Sequence, residues 1–194
     1  TGTTTDNVPD IHKNAALAHE DGVILAIGSL QDMRRDYPGA PETAYPHHLI
    51  LPGLVNSHHH IGLTPLQLGA PDYALELWFA ARLSFRSVDP YLDTLYSAFE
   101  MISSGITTVQ HIQGWAVGDY EEVKASATGV MEAYRAVGMR VSYCYAVREQ
   151  NRFVYEADEE FCKRLPPAAG KAMAAHLSRQ KLSLAEFMQL FEDL

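Results

Sequence analysis

The apolar and polar positions of the chain follow one pattern up to about residue 51 and a different one after it. In the first part, two apolar-rich runs, 15–19 and 23–28, flank the residues Glu20-Asp21-Gly22. An Asp-Gly pair between such runs is typical of a β-hairpin turn. The pattern then predicts a short helix over 29–35 and an extended segment over 47–55.

From residue 52 onwards the pattern predicts strands that alternate with helices. Residues 91–103 carry apolar side chains at three- and four-residue spacing behind Asp89-Pro90, which predicts a helix. The same reasoning predicts strands over 106–112 and 140–147 and helices over 120–137, 167–180 and 183–194. Alternation of this kind implies parallel βα units, so the predicted fold class is α/β. A complete eight-stranded barrel needs about 250 residues, and we therefore expect three βα units of a larger barrel.

Composition and charge limit the kinds of molecule that the chain is expected to bind. The chain is 47% hydrophobic and 20% charged, which is a globular composition, and its formal net charge is -9. An acidic chain is a poor candidate for binding nucleic acid or an anionic membrane. No run is apolar over the roughly 18 residues of a membrane span. The two cysteines, Cys144 and Cys162, form no disulfide framework and favour a reducing cytoplasm.

The candidate chemistry lies in the run Pro52-Gly53-Leu54-Val55-Asn56-Ser57-His58-His59-His60, which follows the apolar residues Leu49-Ile50-Leu51. Residues i and i+2 of a strand point to the same face. His58 and His60 can therefore direct both imidazoles at one metal ion, while His59 points away. Because imidazole ligands must be neutral, metal binding should weaken in acid.

Three further residues are predicted to contact a small-molecule substrate. His111 lies at the expected carboxyl end of the second strand, which is the catalytic edge of a βα barrel. Trp115 follows on the same loop, and Gln67 lies in the long loop after the histidines. For His111 the alternative is a hydrogen-bonded polar residue at a strand end without a role in binding.

Five segments in the same order resemble the amidohydrolase superfamily of metal-dependent hydrolases, in its cytosine-deaminase and chlorohydrolase branch. The resemblance covers residues 15–147. Within the branch, this stretch of the chain is most similar to bacterial enzymes that hydrolyse phenylurea and thiocarbamate herbicides. The segments are the histidine run above, Asp21-Gly22-Val23-Ile24-Leu25-Ala26-Ile27-Gly28, Leu75-Glu76-Leu77-Trp78, Ser104-Gly105-Ile106-Thr107-Thr108-Val109 and Val137-Gly138-Met139-Arg140.

The resemblance implies a (β/α)8 barrel beside a small β-sandwich, with residues 1–51 contributing sandwich strands and 52–194 the first barrel units. It implies one or two divalent metal ions, zinc first, with iron, manganese or cobalt as alternatives. His58 and His60 match the two metal-binding histidines of the family's first strand. In the family, a metal-bound water attacks an electrophilic carbon, and later strands supply a further histidine and a proton-shuttling aspartate. We expect those catalytic groups beyond Leu194.

Two classes of function follow from this pattern. In the first, the chain is part of an amidohydrolase that breaks C–N bonds of a small non-peptide molecule and needs the remainder of the same polypeptide, because 194 residues alone should be inactive. In the second, it is a non-catalytic module that binds a metal or a partner through the histidine pair. A third alternative is a nicked or partly resolved enzyme, in which the missing half is physically present. Homo-oligomer formation is left open.

Overall fold

The computed structural model of the chain describes residues 2–3, 9–60, 69–71, 73–83, 86–114, 117–148, 150–180 and 182–194. The chain divides into two compact units, Thr1–Pro52 and Gly53–Leu194. Among the residues that the structure describes, no helix has the length and apolar character needed to cross a membrane.

The first unit contains the predicted hairpin. Its elements are strands β1 (Gly2–Thr3), β2 (Pro9–Asp10), β3 (Ala15–Glu20) and β4 (Val23–Ser29) and helix α1 (Leu30–Asp36). Strand β3 pairs antiparallel with β4, and β1 pairs antiparallel with β2. At the hairpin turn, Asp21 and Gly22 have φ angles of 48° and 78°. Positive φ at both turn positions is what a type I′ hairpin requires, and this requirement explains the Asp-Gly pair.

Of the predicted extended segment over 47–55, the part after Pro52 pairs as a strand and the part before it does not. Strand pairing begins only at Leu54. His47 has a φ of 62° and lies in a turn in which the amide of His48 donates to the carbonyl of Tyr45. Pro52 has no amide hydrogen to donate to a neighbouring strand.

The second unit is a parallel sheet with helices between its strands, which confirms the predicted α/β class. Three strands pair in the order β5-β6-β7, and both pairs are parallel. The strands are β5 (Leu54–His59), β6 (Ile106–Gly114) and β7 (Arg140–Ala146), and the helices are α2 (Leu75–Arg82), α3 (Pro90–Ser103), α4 (Tyr120–Ala136), α5 (Asp158–Arg164), α6 (Pro167–Ser178) and α7 (Leu184–Asp193). Helices α2 and α5 were not predicted from the pattern.

Side-chain caps set the starts of three helices of the second unit. Asp89 Oδ1 accepts from the amide of Leu92 at 3.0 Å, with Pro90 in the first turn of α3. Reciprocal capping boxes, Asp119 with Glu122 and Ser183 with Glu186, begin α4 and α7. Each box provides hydrogen-bond partners for amide groups that have none inside the helix. These helix starts can therefore be predicted from the sequence.

The core lies between one face of the sheet and helices α3 and α4. Along β6, buried residues alternate with partly exposed ones, and Val109, His111 and Gln113 lie on the buried face. Val109 packs in a cluster with Ala98, Met101, Val130, Tyr134 and Met139. Helix α7 closes a second cluster, in which Phe187 and Leu190 pack with Val123, Ala127 and Tyr145.

Close strand contact explains the glycine before β5. A Cβ atom added to Gly53 would lie 2.0 Å from Thr107 Oγ1, far inside van der Waals contact. The amide of Leu54 donates to the carbonyl of Gly105 at 2.8 Å. The pairing of β5 with β6 then shifts register between Leu54 and Val55 and again between Asn56 and His59. Such irregularities redirect side chains at strand ends.

Candidate metal centre

His58 and His60 lie together at the carboxyl end of β5. Their Nε2 atoms are 3.0 Å apart, and the two rings meet edge to face with centroids 4.8 Å apart. His58 is exposed and His60 is half-buried. The spacing of two residues along the strand brings both rings to the same side of the sheet.

A backbone carbonyl of the neighbouring strand orients His60. His60 Nδ1 lies 2.7 Å from the carbonyl oxygen of Ile112 in β6. A carbonyl oxygen can only accept a hydrogen bond, so Nδ1 carries the proton. In the neutral ring, Nε2 then carries a lone pair, and this atom lies 3.0 Å from His58 Nε2. Bonds of this type hold metal-binding histidines in the required tautomer and orientation.

The donor set fits two nitrogen ligands of one divalent cation. Zinc binds imidazole nitrogen at about 2.0–2.1 Å in tetrahedral geometry, which places two ligand atoms about 3.3 Å apart. The separation of 3.0 Å between the Nε2 atoms is close to that distance. No cluster of three or more histidine, cysteine or acidic side chains able to hold a metal occurs in the part of the chain that the structure describes.

His59 points to the opposite side and packs against His111. The two residues are partners in the register of β5 and β6, and their ring centroids are 5.7 Å apart. His111 is completely buried. Its Nδ1 lies 2.8 Å from the hydroxyl of Tyr134 in α4, and its ring stacks on Tyr143 in β7 with centroids 5.5 Å apart.

Burial keeps both of these histidines neutral. Desolvation, assisted by the neighbouring histidines, lowers the pKa of His111 from 6.5 to about 3 and that of His59 to about 4. Their Nε2 atoms are buried without a hydrogen-bond partner among the described residues. Gln113 continues this polar layer, because its Nε2 donates to Ser126 Oγ at 2.8 Å and its Oε1 accepts from the hydroxyl of Tyr143.

The structure thus brings His58 and His60 together but separates His111 from them. His111 lies on the face of the sheet that α4 covers, so its role in substrate binding stays a prediction. The alternation of buried residues along β6 is the signal that distinguishes this face. Gln67 and Trp115 lie outside the described residues. The contribution of Ile112 has no sequence signal, because the contact uses a main-chain atom of a different strand.

Comparisons with known proteins identify relatives for both units. A family model described as "Amidohydrolase family" matches residues 49–187. A second, described as "Imidazolonepropionase-like composite domain, bacteria", matches residues 15–40. No solved structure matches the chain.

Curated relatives carry names of deaminases. The chain is 30% identical over 154 residues to a protein named 5-methylthioadenosine/S-adenosylhomocysteine deaminase from Acetivibrio thermocellus, covering 76% of this chain and 33% of the relative. It is 37% identical over 102 residues to a deaminase of the same name, numbered 1, from Syntrophus aciditrophicus, covering 50% and 23%. It is 28% identical over 142 residues to a 5'-deoxyadenosine deaminase from Methanosarcina barkeri, covering 71% and 29%. The chain spans about a third or less of the length of these relatives.

Proposed function

This chain belongs to the amidohydrolase family, and from that premise we propose that the protein is a metal-dependent hydrolase acting on a C–N bond of a small non-peptide molecule. The names of the relatives point to deamination of an adenosine derivative as the reaction. None of these names is a phenylurea or thiocarbamate hydrolase. We therefore propose deamination rather than hydrolysis of a phenylurea or thiocarbamate, the reactions to which the resemblance pointed.

The observation that carries the proposal is the paired imidazoles of His58 and His60. Their Nε2 atoms lie 3.0 Å apart, and the bond from His60 Nδ1 to Ile112 makes His60 Nε2 the ring atom that can bind a cation. A hydrogen bond of this kind is typical of a metal-binding histidine.

We propose that His58 and His60 hold one divalent cation through Nε2. Zinc is the first choice because imidazole suits it, while iron, manganese and cobalt accept the same donors. When bound, such a cation supplies Lewis-acid activation of water and polarises the substrate. His60 keeps its proton on Nδ1 throughout, because the carbonyl of Ile112 has no proton to exchange with it.

The parallel sheet supports a wider architectural proposal. We propose that its three strands and intervening helices belong to the first units of a (β/α)8 barrel, in which the site lies at the carboxyl ends of the strands. Residues 52–194 would form these units, and residues 1–51 would contribute strands to a β-sandwich. Cys144 and Cys162 are free thiols in the structure, which favours the cytoplasm as the location.

The test uses the full-length protein that contains this chain. We expect the double variant His58→Ala plus His60→Ala to lose most of its bound metal and at least 100-fold in the rate of ammonia release from 5'-deoxyadenosine or 5'-methylthioadenosine. The matched control is His48→Ala, which removes an exposed histidine whose ring lies against Tyr45 and 2.7 Å from the Pro46 carbonyl.

Metal content is measured by elemental analysis and activity by an ammonia assay. Retention of both metal and activity by the double variant would show that the site has been placed wrongly. Metal bound with no release of ammonia from either nucleoside would overturn the deaminase proposal and leave the metal site standing.

A further inference from the structure

A second site candidate lies on the other side of β6 from the histidine pair. A cavity of about 390 Å³ opens beside Gln113 and Gly114, at the carboxyl end of the strand. Gln113 lies on the face that α4 covers, as its bond to Ser126 shows. Neither His58 nor His60 lines this cavity.

Four arginines from distant parts of the chain line the cavity. They are Arg82, Arg86, Arg152 and Arg179. The wall also contains one carboxylate, Asp93, which is almost completely buried. In a chain with a net charge of -9, arginines therefore outnumber carboxylates in the lining of this cavity.

Arg152 has a structural role in the wall. Its Nε and backbone amide donate to Asp158 at 2.8 and 2.7 Å, and Nη1 donates to the carbonyls of Leu177 and Gln180 at 2.7 and 2.5 Å. These bonds tie the end of α6 to the segment before α5. They also engage most of the donors of Arg152, so the exposed Arg86 and Arg179 carry the charge that a ligand would meet.

The ion pairing of Arg86 and Arg179 is weak. Arg179 reaches Glu122 only at 3.5 Å, and both side chains are more than half exposed. Arg86 makes no ion pair with any residue that the structure describes. Burial lowers the pKa of Arg82, with the charge of Asp93 acting in the opposite direction.

The charges of two of these arginines act on the ring of His176. It lines the same cavity, and its Nε2 lies 3.0 Å from Gln180 Nε2. Burial lowers the pKa of His176, and the charges of Arg179 and Arg82 lower it further. Two guanidinium groups from α2 and from the end of α6 therefore act on one ring inside the cavity.

We propose that this cavity binds a small oxyanion, either free or as the phosphate or carboxylate group of an organic ligand. The planar donor fork of arginine matches both groups bidentately. Arg86 and Arg179 would grip the anion from the open side, and Arg82 would face it from within. The site is independent of the proposed metal-dependent hydrolysis, because it uses none of the metal-binding residues.

The experiment titrates the full-length protein with inorganic phosphate at constant ionic strength by calorimetry. We expect saturable binding with a stoichiometry of one, weakened at least about tenfold in each of Arg86→Gln and Arg179→Gln and by more in the double variant. Both side chains are on the surface, so these variants should fold, and an unchanged melting temperature checks this. The control Arg140→Gln removes an exposed arginine at the opposite end of the sheet.

A second readout is the His176 ring, followed by NMR titration. A bound anion offsets the charges of Arg179 and Arg82, so phosphate should raise the pKa of His176 in the wild type and leave it unchanged in the double variant. The same titration on His58→Ala plus His60→Ala should match the wild type. Loss of phosphate binding in this double variant would show that the anion depends on the histidine pair, and would overturn the proposal of a separate site.

Parallel titrations distinguish the sources of the anion. Binding of phosphate and acetate alone supports a free anion, while a phosphorylated or carboxylated nucleoside that binds far more tightly than either supports an organic ligand. No saturable binding of any of these probes, or binding that the two arginine substitutions leave intact, would overturn the proposal.

Discussion

At the scale of single residues, three consecutive histidines have different environments because strand geometry assigns them to different faces. His58 and His60 meet at 3.0 Å on one side, while His59 packs against His111 on the other. One pair is accessible to a cation and the other is held neutral by burial. The same side chain thus serves as a candidate ligand or as a core residue, depending only on its position along the strand.

The buried His111 should make the protein sensitive to acid. Below pH 6.5 the unfolded chain gains a proton on this ring, while the folded ring stays neutral down to about pH 3. The unfolded state binds more protons over this range, so the free energy of unfolding falls as the pH falls. We expect a loss of roughly 2 kcal/mol from this residue between pH 7 and pH 5.

Urea denaturation of metal-free protein at the two pH values measures this loss. His111→Gln cannot titrate, so its stability should decrease less between pH 7 and pH 5 than that of the wild type, whatever its stability at pH 7. His19→Gln, at an exposed position, serves as the control. Equal losses in His111→Gln and the wild type would contradict a neutral buried ring.

At the scale of elements, α7 is an integral part of the second unit. Its capping box fixes where the helix begins, and its apolar face carries Phe187 and Leu190 into the cluster around Tyr145. The hydroxyl of Tyr120 and the ammonium of Lys124 in α4 both donate to Asp193 near the end of α7, at 2.9 and 2.8 Å. Packing and polar contacts together hold α7 against α4.

Leu190→Ala tests this docking. Leu190 is fully buried, so its truncation should lower the free energy of unfolding by about 2–5 kcal/mol. Met188→Ala, two positions earlier and 59% exposed, should change it by less than about 0.5 kcal/mol. Chemical denaturation of both variants gives the comparison. Similar small effects at the two positions would mean that α7 contributes little to the core.

At the scale of the whole molecule, the sheet has exposed apolar positions at its margin. In the described part of the chain, β5 and β7 each pair with β6 alone. Leu54 and Val55 of β5 are 55% and 65% exposed. Unpaired edges with apolar side chains favour association with further strands.

We therefore expect the 194-residue chain, produced alone, to self-associate through the β5 edge. Val55→Lys places a charge on that edge and should shift the population toward monomer. Met188→Lys adds the same charge on a helix that has no strand edge, and should leave association unchanged. Sedimentation velocity at several concentrations measures both. Monomeric wild-type chain at all concentrations would contradict this prediction.

Much of the local structure was determined by the sequence itself, because its causes are local. The Asp21-Gly22 turn, the Asp89-Pro90 helix start and the Ser183 capping box depend on neighbouring residues only, and each is observed where it was predicted. The spacing of His58 and His60 likewise fixes a shared face through strand periodicity. Helix α5 was missed because its only apolar residues are the adjacent Phe161 and Cys162, which set no helical spacing.

Tertiary structure alone decided which face each polar residue occupies and what it meets there. Pairing of β5 with β6 brought the Ile112 carbonyl to His60 and placed His111 under Tyr134 of α4. Packing of the helices gathered Arg82, Arg86 and Arg179 around one cavity. Contacts between residues distant in sequence depend on strand register and helix packing, which a hydrophobic pattern leaves open.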